Sequence, residues 1–110
     1  MAINYKVLGQ ISPAANTSNT LYTTPASTNT VISTINICNL DSVNRTFRLA
    51  VVKSGDTLQN KSYIAYETAL PASDSISLTL GITLSSNDSV LVYANSTANI
   101  AFSAFGSEIV

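Results

Sequence analysis

The sequence contains no histidine and no tryptophan, one cysteine, and only four glycines in 110 residues. Without histidine it lacks the commonest general base and zinc ligand, and one cysteine cannot complete a metal site. The glycines form no phosphate-binding loop, and no serine lies in a G-x-S-x-G nucleophile elbow. The six acidic residues are scattered, so no carboxylate pair or calcium loop stands out. We therefore expect no enzymatic activity, no metal and no cofactor.

Charge is also scarce. Charged residues make up 10% of the chain and the net charge is −1, whereas about 25% charged residues is typical of a soluble domain. The few basic residues form no cluster, which argues against nucleic-acid binding. The 45% apolar content argues against disorder. Low charge fits either a subunit whose surface neighbours cover or a monomer with a neutral polar surface.

No segment has the length and hydrophobicity of a membrane span, and residues 1–9 do not form a secretory signal. We therefore expect no membrane partner. Cys38 has no partner for an internal disulfide, so a buried, unreactive thiol is expected there.

The longest β-type run, residues 30–39, is rich in β-branched side chains and uncharged on both faces. A strand without charge on either face is predicted to be central, because exposed edges usually carry charge or proline. Strict alternation would place Val31, Ser33, Ile35 and Ile37 on one face.

The next strand is predicted over residues 45–53, with Phe47, Leu49 and Val51 facing the core. Because it follows the run 30–39 after a short turn, we expect these two strands to pair as antiparallel neighbours.

The remaining pattern adds several short strands separated by turn-forming residues. They are predicted over residues 4–9, 21–24, 61–69, 75–80 with a bend at Gly81, 82–84, 89–94 and 100–105, followed by a tail at 106–110. A helix over residues 56–68 is the competing interpretation of one segment. The sum is one all-β domain, residues 1–110, built as a two-sheet antiparallel β-sandwich of about eight strands. Jelly-roll and immunoglobulin-like topologies are not distinguished by this pattern.

Aromatic residues supply the candidate contact sites. The run 100–105 is apolar on both sides, so if Phe102 fills the core, Phe105 faces out as a subunit contact; the alternative is a strand buried on both faces. Tyr5, Tyr22 and Tyr93 are further candidate interface residues, since strand tyrosines are common in interfaces. Stacking of tyrosines on sugar rings is a third possibility.

Two segments carry a resemblance to a known group of proteins: S-T-I-N-I-C-N at 33–39 and S-A-F-G-S-E-I at 103–109. With weaker likeness from Tyr5 to Ile109, the chain resembles small virion structural proteins of tailed bacteriophages, including phages of cyanobacteria and marine bacteria. The resemblance implies a particle component made in the host cytoplasm. A capsid decoration (cement) protein fits best, as a homotrimer bound to the major capsid protein. A tail, neck or fibre component is the alternative, and a carbohydrate-binding adhesin that recognises a host surface glycan is a third.

Overall fold

Nine strands and one short 3-10 turn make up the computed structural model, which describes residues 1–110. The strands are β1 Ile3–Ile11, β2 Asn19–Thr23, β3 Asn29–Asn39, β4 Arg45–Val52, β5 Tyr63–Leu70, β6 Ser75–Leu78, β7 Ile82–Leu84, β8 Ser89–Ala94 and β9 Ile100–Ile109. The 3-10 turn spans Asn60–Ser62, and the helix considered over 56–68 does not form. The strands form two antiparallel sheets that pack as a β-sandwich, which confirms the predicted fold class.

The strand order identifies the topology. One sheet has the order β1-β9-β3-β6, with β7 also paired to β3, and the other has the order β2-β8-β4-β5. The chain therefore folds as one long antiparallel ribbon of strand pairs that lie in the two sheets by turns. In order, the pairs are β1·β9, β2·β8, β3·β6/β7 and β4·β5. This is the arrangement of a jelly roll. The alternative, an immunoglobulin-like order, is not the one observed.

The expected pairing of residues 30–39 with 45–53 is wrong. Strand β3 pairs with β9 on one side and with β6 and β7 on the other, so it is central, as predicted, but β4 lies in the opposite sheet. The chain changes sheets at the corner after Asn39, whose buried amide donates to the carbonyl oxygens of Val43, Leu70 and Pro71 at 3.0, 3.1 and 3.2 Å. These bonds satisfy the backbone where the ladder ends.

The predicted face of β3 is only partly correct. Ile32, Ile35 and Ile37 are buried, whereas Val31 points to the outer face. The register shifts at Ser33, and an extra residue of this kind inverts the alternation. A matching irregularity lies at Leu8 of β1, so both neighbours of β9 are bulged beside the same stretch of that strand.

Two predicted strand ends differ from the structure. The tail predicted at 106–110 belongs mostly to β9, which pairs with both β1 and β3 as far as Ile109. Gly106 permits this close approach, since a Cβ there would overlap the carbonyl oxygen of Val31. Strand β6 ends at Leu78, so Leu80 is exposed and does not join the core. The bend predicted at Gly81 is present, with φ of +62°.

The core lies between the sheets and is made of aliphatic side chains around two phenylalanines. Phe47 and Phe102 pack edge to face with ring centroids 6.2 Å apart, and both are fully buried. Leu49 is also fully buried, and Val51 packs against this cluster at its margin, as predicted for β4.

Candidate functional site

An apolar strip runs across the outer face of the β1·β9 ladder. Tyr5 lies opposite Ser107, Val7 opposite Phe105 and Ile3 opposite Ile109. Directly opposed residues in an antiparallel ladder point to the same face, and the alternate residues of β9, including Phe102 and Ala104, fill the core. The side chains that project outward define the outer strip: Ile3, Tyr5, Val7, Phe105 and Ile109.

The outer strip is exposed to solvent. Tyr5 is 83% exposed, Val7 52%, Ile3 46% and Phe105 37%. Scattered single apolar residues are normal on protein surfaces, but a contiguous group is a mark of interaction sites. The predicted outward orientation of Phe105 is therefore correct, and two of the four candidate residues, Tyr5 and Phe105, share this one surface.

The opposite side of the same ladder carries a charged network. Lys6 Nζ lies 2.7 Å from Glu108 Oε1, while Glu108 Oε2 accepts a hydrogen bond from the Tyr22 hydroxyl at 2.5 Å. Tyr22 is also bonded to Thr30 Oγ1 at 2.8 Å. The hydrogen bond from Lys6, followed by that from Tyr22, lowers the pKa of Glu108 below its ordinary value. Burial, then the adjacent Glu108, raises the pKa of Tyr22 to about 12.

Tyr22 is thus not a surface residue. It is only 7% exposed, and its ring belongs to the core while its hydroxyl is used inside the protein. The prediction of Tyr22 as an interface residue is corrected on this point. The register shift in β2 turns both Leu21 and Tyr22 inward, which simple alternation could not have indicated.

Tyr93 lies on the outer face of the other sheet, where it packs on an arginine. The Arg48 guanidinium carbon lies 4.0 Å from the centroid of the Tyr93 ring and 4.4 Å from that of Tyr66. Arg48 also binds Glu67, which raises the pKa of Arg48 and lowers that of Glu67. The Tyr93 hydroxyl donates to Asn16 Oδ1 at 3.1 Å. Tyr93 therefore has structural partners of its own and is remote from the outer strip.

A second feature of this sheet is an open depression of about 390 Å³ lined by Asn60, Tyr63 and Tyr66. The two tyrosine rings pack edge to face with centroids 4.9 Å apart. An aromatic surface beside an amide is a chemistry that suits the apolar face and the hydroxyls of a sugar ring.

No group of three or more cysteine, aspartate or glutamate side chains is arranged to hold a metal ion. The structure has no helix of the length and hydrophobicity needed to cross a bilayer. Cys38 is a free thiol and is partly, not fully, buried.

Sequence reasoning missed Ile3, Val7 and Ile109 as members of the outer strip. The alternation Ile3, Tyr5, Val7 was a usable signal, but it does not say which side of a strand another layer covers. The tail predicted at 106–110 leaves Ile109 outside the ladder, whereas the structure pairs it with Ile3.

Comparison of the chain with protein-family models, with curated proteins and with solved structures found no match. The likeness to phage virion proteins therefore stays a hypothesis drawn from the sequence.

Proposed function

We propose that this chain is a non-enzymatic structural protein of a bacteriophage particle, and specifically a decoration protein that binds and stabilises the assembled capsid lattice. The observation that carries the proposal is the outer strip, a contiguous apolar surface on a chain with few charges. The sequence resemblance is the reason for assigning the chain to a phage particle. The outer strip is the surface through which the chain would attach to the capsid.

The strip is large enough to contribute to binding. Complete burial of one large apolar side chain contributes about 1.5–3 kcal/mol. The four most exposed members are between 37% and 83% exposed, so covering them contributes on the order of 4–6 kcal/mol before the cost of association. A protein that binds only the assembled shell stabilises that shell by mass action, with no catalytic step.

The fold is compatible with the proposal without identifying the function. Jelly rolls occur in viral capsid proteins, lectins and cupins. A fold shared by so many functions does not identify one of them, so the proposal rests on the outer strip. The absence of histidine from the sequence weighs against a metal site with imidazole ligands.

Substitution of Phe105 by aspartate tests the attachment surface. A carboxylate at this partly exposed position should leave the fold intact and weaken binding to purified tail-less capsids at least tenfold, because the strip would have to cover a charge. Tyr66→Asp places the same charge at an exposed aromatic on the opposite sheet and should bind as the parent does. Circular dichroism and thermal melting check the fold of both variants.

Equal capsid binding by the two variants would show that the outer strip is not the attachment surface. Unfolding of Phe105→Asp would show that Phe105 belongs to the core. Binding to isolated tails and not to capsids would favour a tail, neck or fibre component.

A carbohydrate-binding module is the second candidate, favoured by the depression at Asn60, Tyr63 and Tyr66. If it is correct, host surface polysaccharide should raise the melting temperature of the parent, and Tyr63→Ala should abolish that rise. A polysaccharide that leaves the melting temperature of the parent unchanged at millimolar sugar would exclude that polysaccharide as a ligand.

A further inference from the structure

The open edge of β1 points to a second copy of this chain. We propose that β1 pairs antiparallel with β1 of another molecule, about a two-fold axis that passes beside Tyr5. The two five-stranded sheets then continue across the contact. This self-association goes beyond capsid binding and can be tested without any particle.

The backbone N–H and C=O groups at the open edge of β1 are placed for this pairing. Strand β1 has one partner, β9, and its other edge has none. Ala2 exchanges two backbone bonds with Val110, at 3.0 and 2.9 Å, so its polar groups point toward β9. Because the direction alternates along a strand, the N–H and C=O groups of Ile3, Tyr5 and Val7 point to the open edge.

The residues at this edge form a self-complementary pattern. With Tyr5 opposite Tyr5 of the second copy, Ile3 faces Val7 and Val7 faces Ile3. The residues in these three opposed pairs are the ones whose backbone groups point to the open edge. Each pair can exchange two backbone hydrogen bonds, so about six form between the copies. On the outer face the apolar side chains of both copies join into one surface, and on the other face Lys6 lies opposite Asn4, so no like charges meet.

Neighbouring registers are less favourable. A two-fold axis beside Lys6 places Lys6 opposite Lys6, a repulsive pair. A two-fold axis beside Asn4 places Ile3 of each copy opposite Tyr5 of the other, and no further residue of β1 is paired. About four backbone hydrogen bonds then form between the copies. A shift by an odd number of residues brings outward-facing residues opposite inward-facing ones.

The stretch of the edge from Ile3 to Val7 is only partly protected against pairing. Natural edge strands are commonly blunted by proline, by exposed lysine or by short length. Strand β1 is nine residues long and contains no proline. Its bulge at Leu8 lies outside the stretch from Ile3 to Val7, and its one lysine, although 49% exposed, is paired with Glu108. Of the other edge elements, β2, β6 and β7 have five, four and three residues, and the eight-residue β5 has an irregular register with its partner β4. A second copy is the partner whose own edge has the matching pattern.

A two-fold contact between identical surfaces closes at two copies. The proposal therefore predicts a dimer in solution, in place of the homotrimer that the sequence resemblance implies.

The first test is the solution mass of the parent and of Tyr5→Pro, measured by light scattering and analytical ultracentrifugation. Proline at position 5 removes an N–H that points to the open edge and is not used by β9, so the fold should remain and the dimer should dissociate. Tyr5→Phe keeps the backbone donor and should stay dimeric. A monomeric or trimeric parent at about 50 μM, or a dimer of Tyr5→Pro as stable as that of the parent, would overturn the proposal.

Cysteine cross-linking tests the register independently of that variant. In a Cys38→Ser background, Tyr5→Cys places two Cα atoms about 5.5 Å apart, a separation that a disulfide spans. Gln10→Cys on the same strand has no opposed residue in this register and serves as the matched control. A covalent dimer of Tyr5→Cys alone supports the proposal, and cross-linking of Gln10→Cys to the same extent, or of neither variant, contradicts it. Capsid binding by a monomeric protein would refute this pairing and leave the decoration function standing.

Discussion

Removal of the Tyr22 hydroxyl should destabilise the protein more than removal of a hydroxyl from an exposed tyrosine would. In the parent this hydroxyl donates to Glu108 at 2.5 Å and is bonded to Thr30 at 2.8 Å, at a position that is 7% exposed. A hydrogen bond to a charged group contributes about 1.5–3 kcal/mol when the partner would otherwise stay buried and unpaired. We expect Tyr22→Phe to lower the free energy of unfolding by about 2 kcal/mol, which corresponds to roughly 8 °C in melting temperature for a domain of this size.

The pH dependence follows from the two shifted groups. The pKa of Tyr22 is raised from 10.0 to about 12, so its stabilising effect is complete below pH 10 and is lost as the pH rises from 10 toward 12. A shift of this size corresponds to about 3 kcal/mol. The pKa of Glu108 is lowered, so its contribution is present above its ordinary pKa of 4.5 and is lost as the pH falls through the lower folded value.

Urea unfolding followed by circular dichroism from pH 3 to 12 measures both limbs. In Tyr22→Phe, the fall in the free energy of unfolding between pH 10 and 12 (the alkaline limb) should lack the contribution of Tyr22. The fall at acid pH, which comes from Glu108, should be smaller than in the parent. Tyr5→Phe is the matched control, because Tyr5 is 83% exposed, and it should change the free energy of unfolding by less than about 0.5 kcal/mol. Equal stability of the two variants at pH 7, or an unchanged alkaline limb in Tyr22→Phe, would refute the reasoning.

Three further substitutions test other parts of the fold by urea unfolding. Asn39→Ala should cost about 2–4 kcal/mol, because three carbonyl oxygens lose their donor at the buried corner between the sheets. Gly106→Ala should cost about 3 kcal/mol or more, since the added Cβ overlaps the Val31 carbonyl oxygen and the ladder must move. Arg48→Lys should cost about 1 kcal/mol, because lysine keeps the charge near Glu67 but loses the two-nitrogen contact and the stacking on tyrosine.

Each of these three variants has a matched control. Asn36→Ala removes one bond, from its amide to a serine hydroxyl on the surface, and Gly55→Ala adds a Cβ in open space at a φ of +85°. Lys61→Arg alters an exposed cation whose ion pair is 3.4 Å long. Asn36→Ala and Lys61→Arg should cost about 1 kcal/mol or less, and Gly55→Ala should cost about 1–2 kcal/mol from its left-handed backbone. A control as costly as its partner variant would contradict the explanation given for that partner.

Much of the fold could be predicted because the strands and the turns between them carry strong local signals. The alternation of Phe47, Leu49 and Val51 indicated most of the buried face of β4, although Ala50, which that alternation places outside, is also buried. Gly81 marked a true break. Strand pairing could not be predicted, since a jelly roll joins strands that are distant in the chain, whereas the prediction for 30–39 and 45–53 relied on closeness in sequence.

The bulges limited the prediction of faces. One extra residue at Ser33 places Val31 outside and Ile35 inside, and the irregularity at Leu8 does the same for Val7 and Ile11. The outer strip was therefore predicted only in part. The alternation of the last strand predicts an outward Phe105, and Tyr5 is a candidate from its aromatic character. The aliphatic members are not predicted, because their exposure depends on which face the second sheet leaves uncovered.

The copy number of this chain in purified virions tests the central claim most directly. Quantitative mass spectrometry against isotope-labelled standards would compare it with the major capsid protein. A decoration protein spread over the head lattice predicts a molar ratio near parity. A ratio of a small fraction would contradict the head-lattice proposal and favour a tail or neck position, and absence of the chain from the particle would contradict any structural role in the virion.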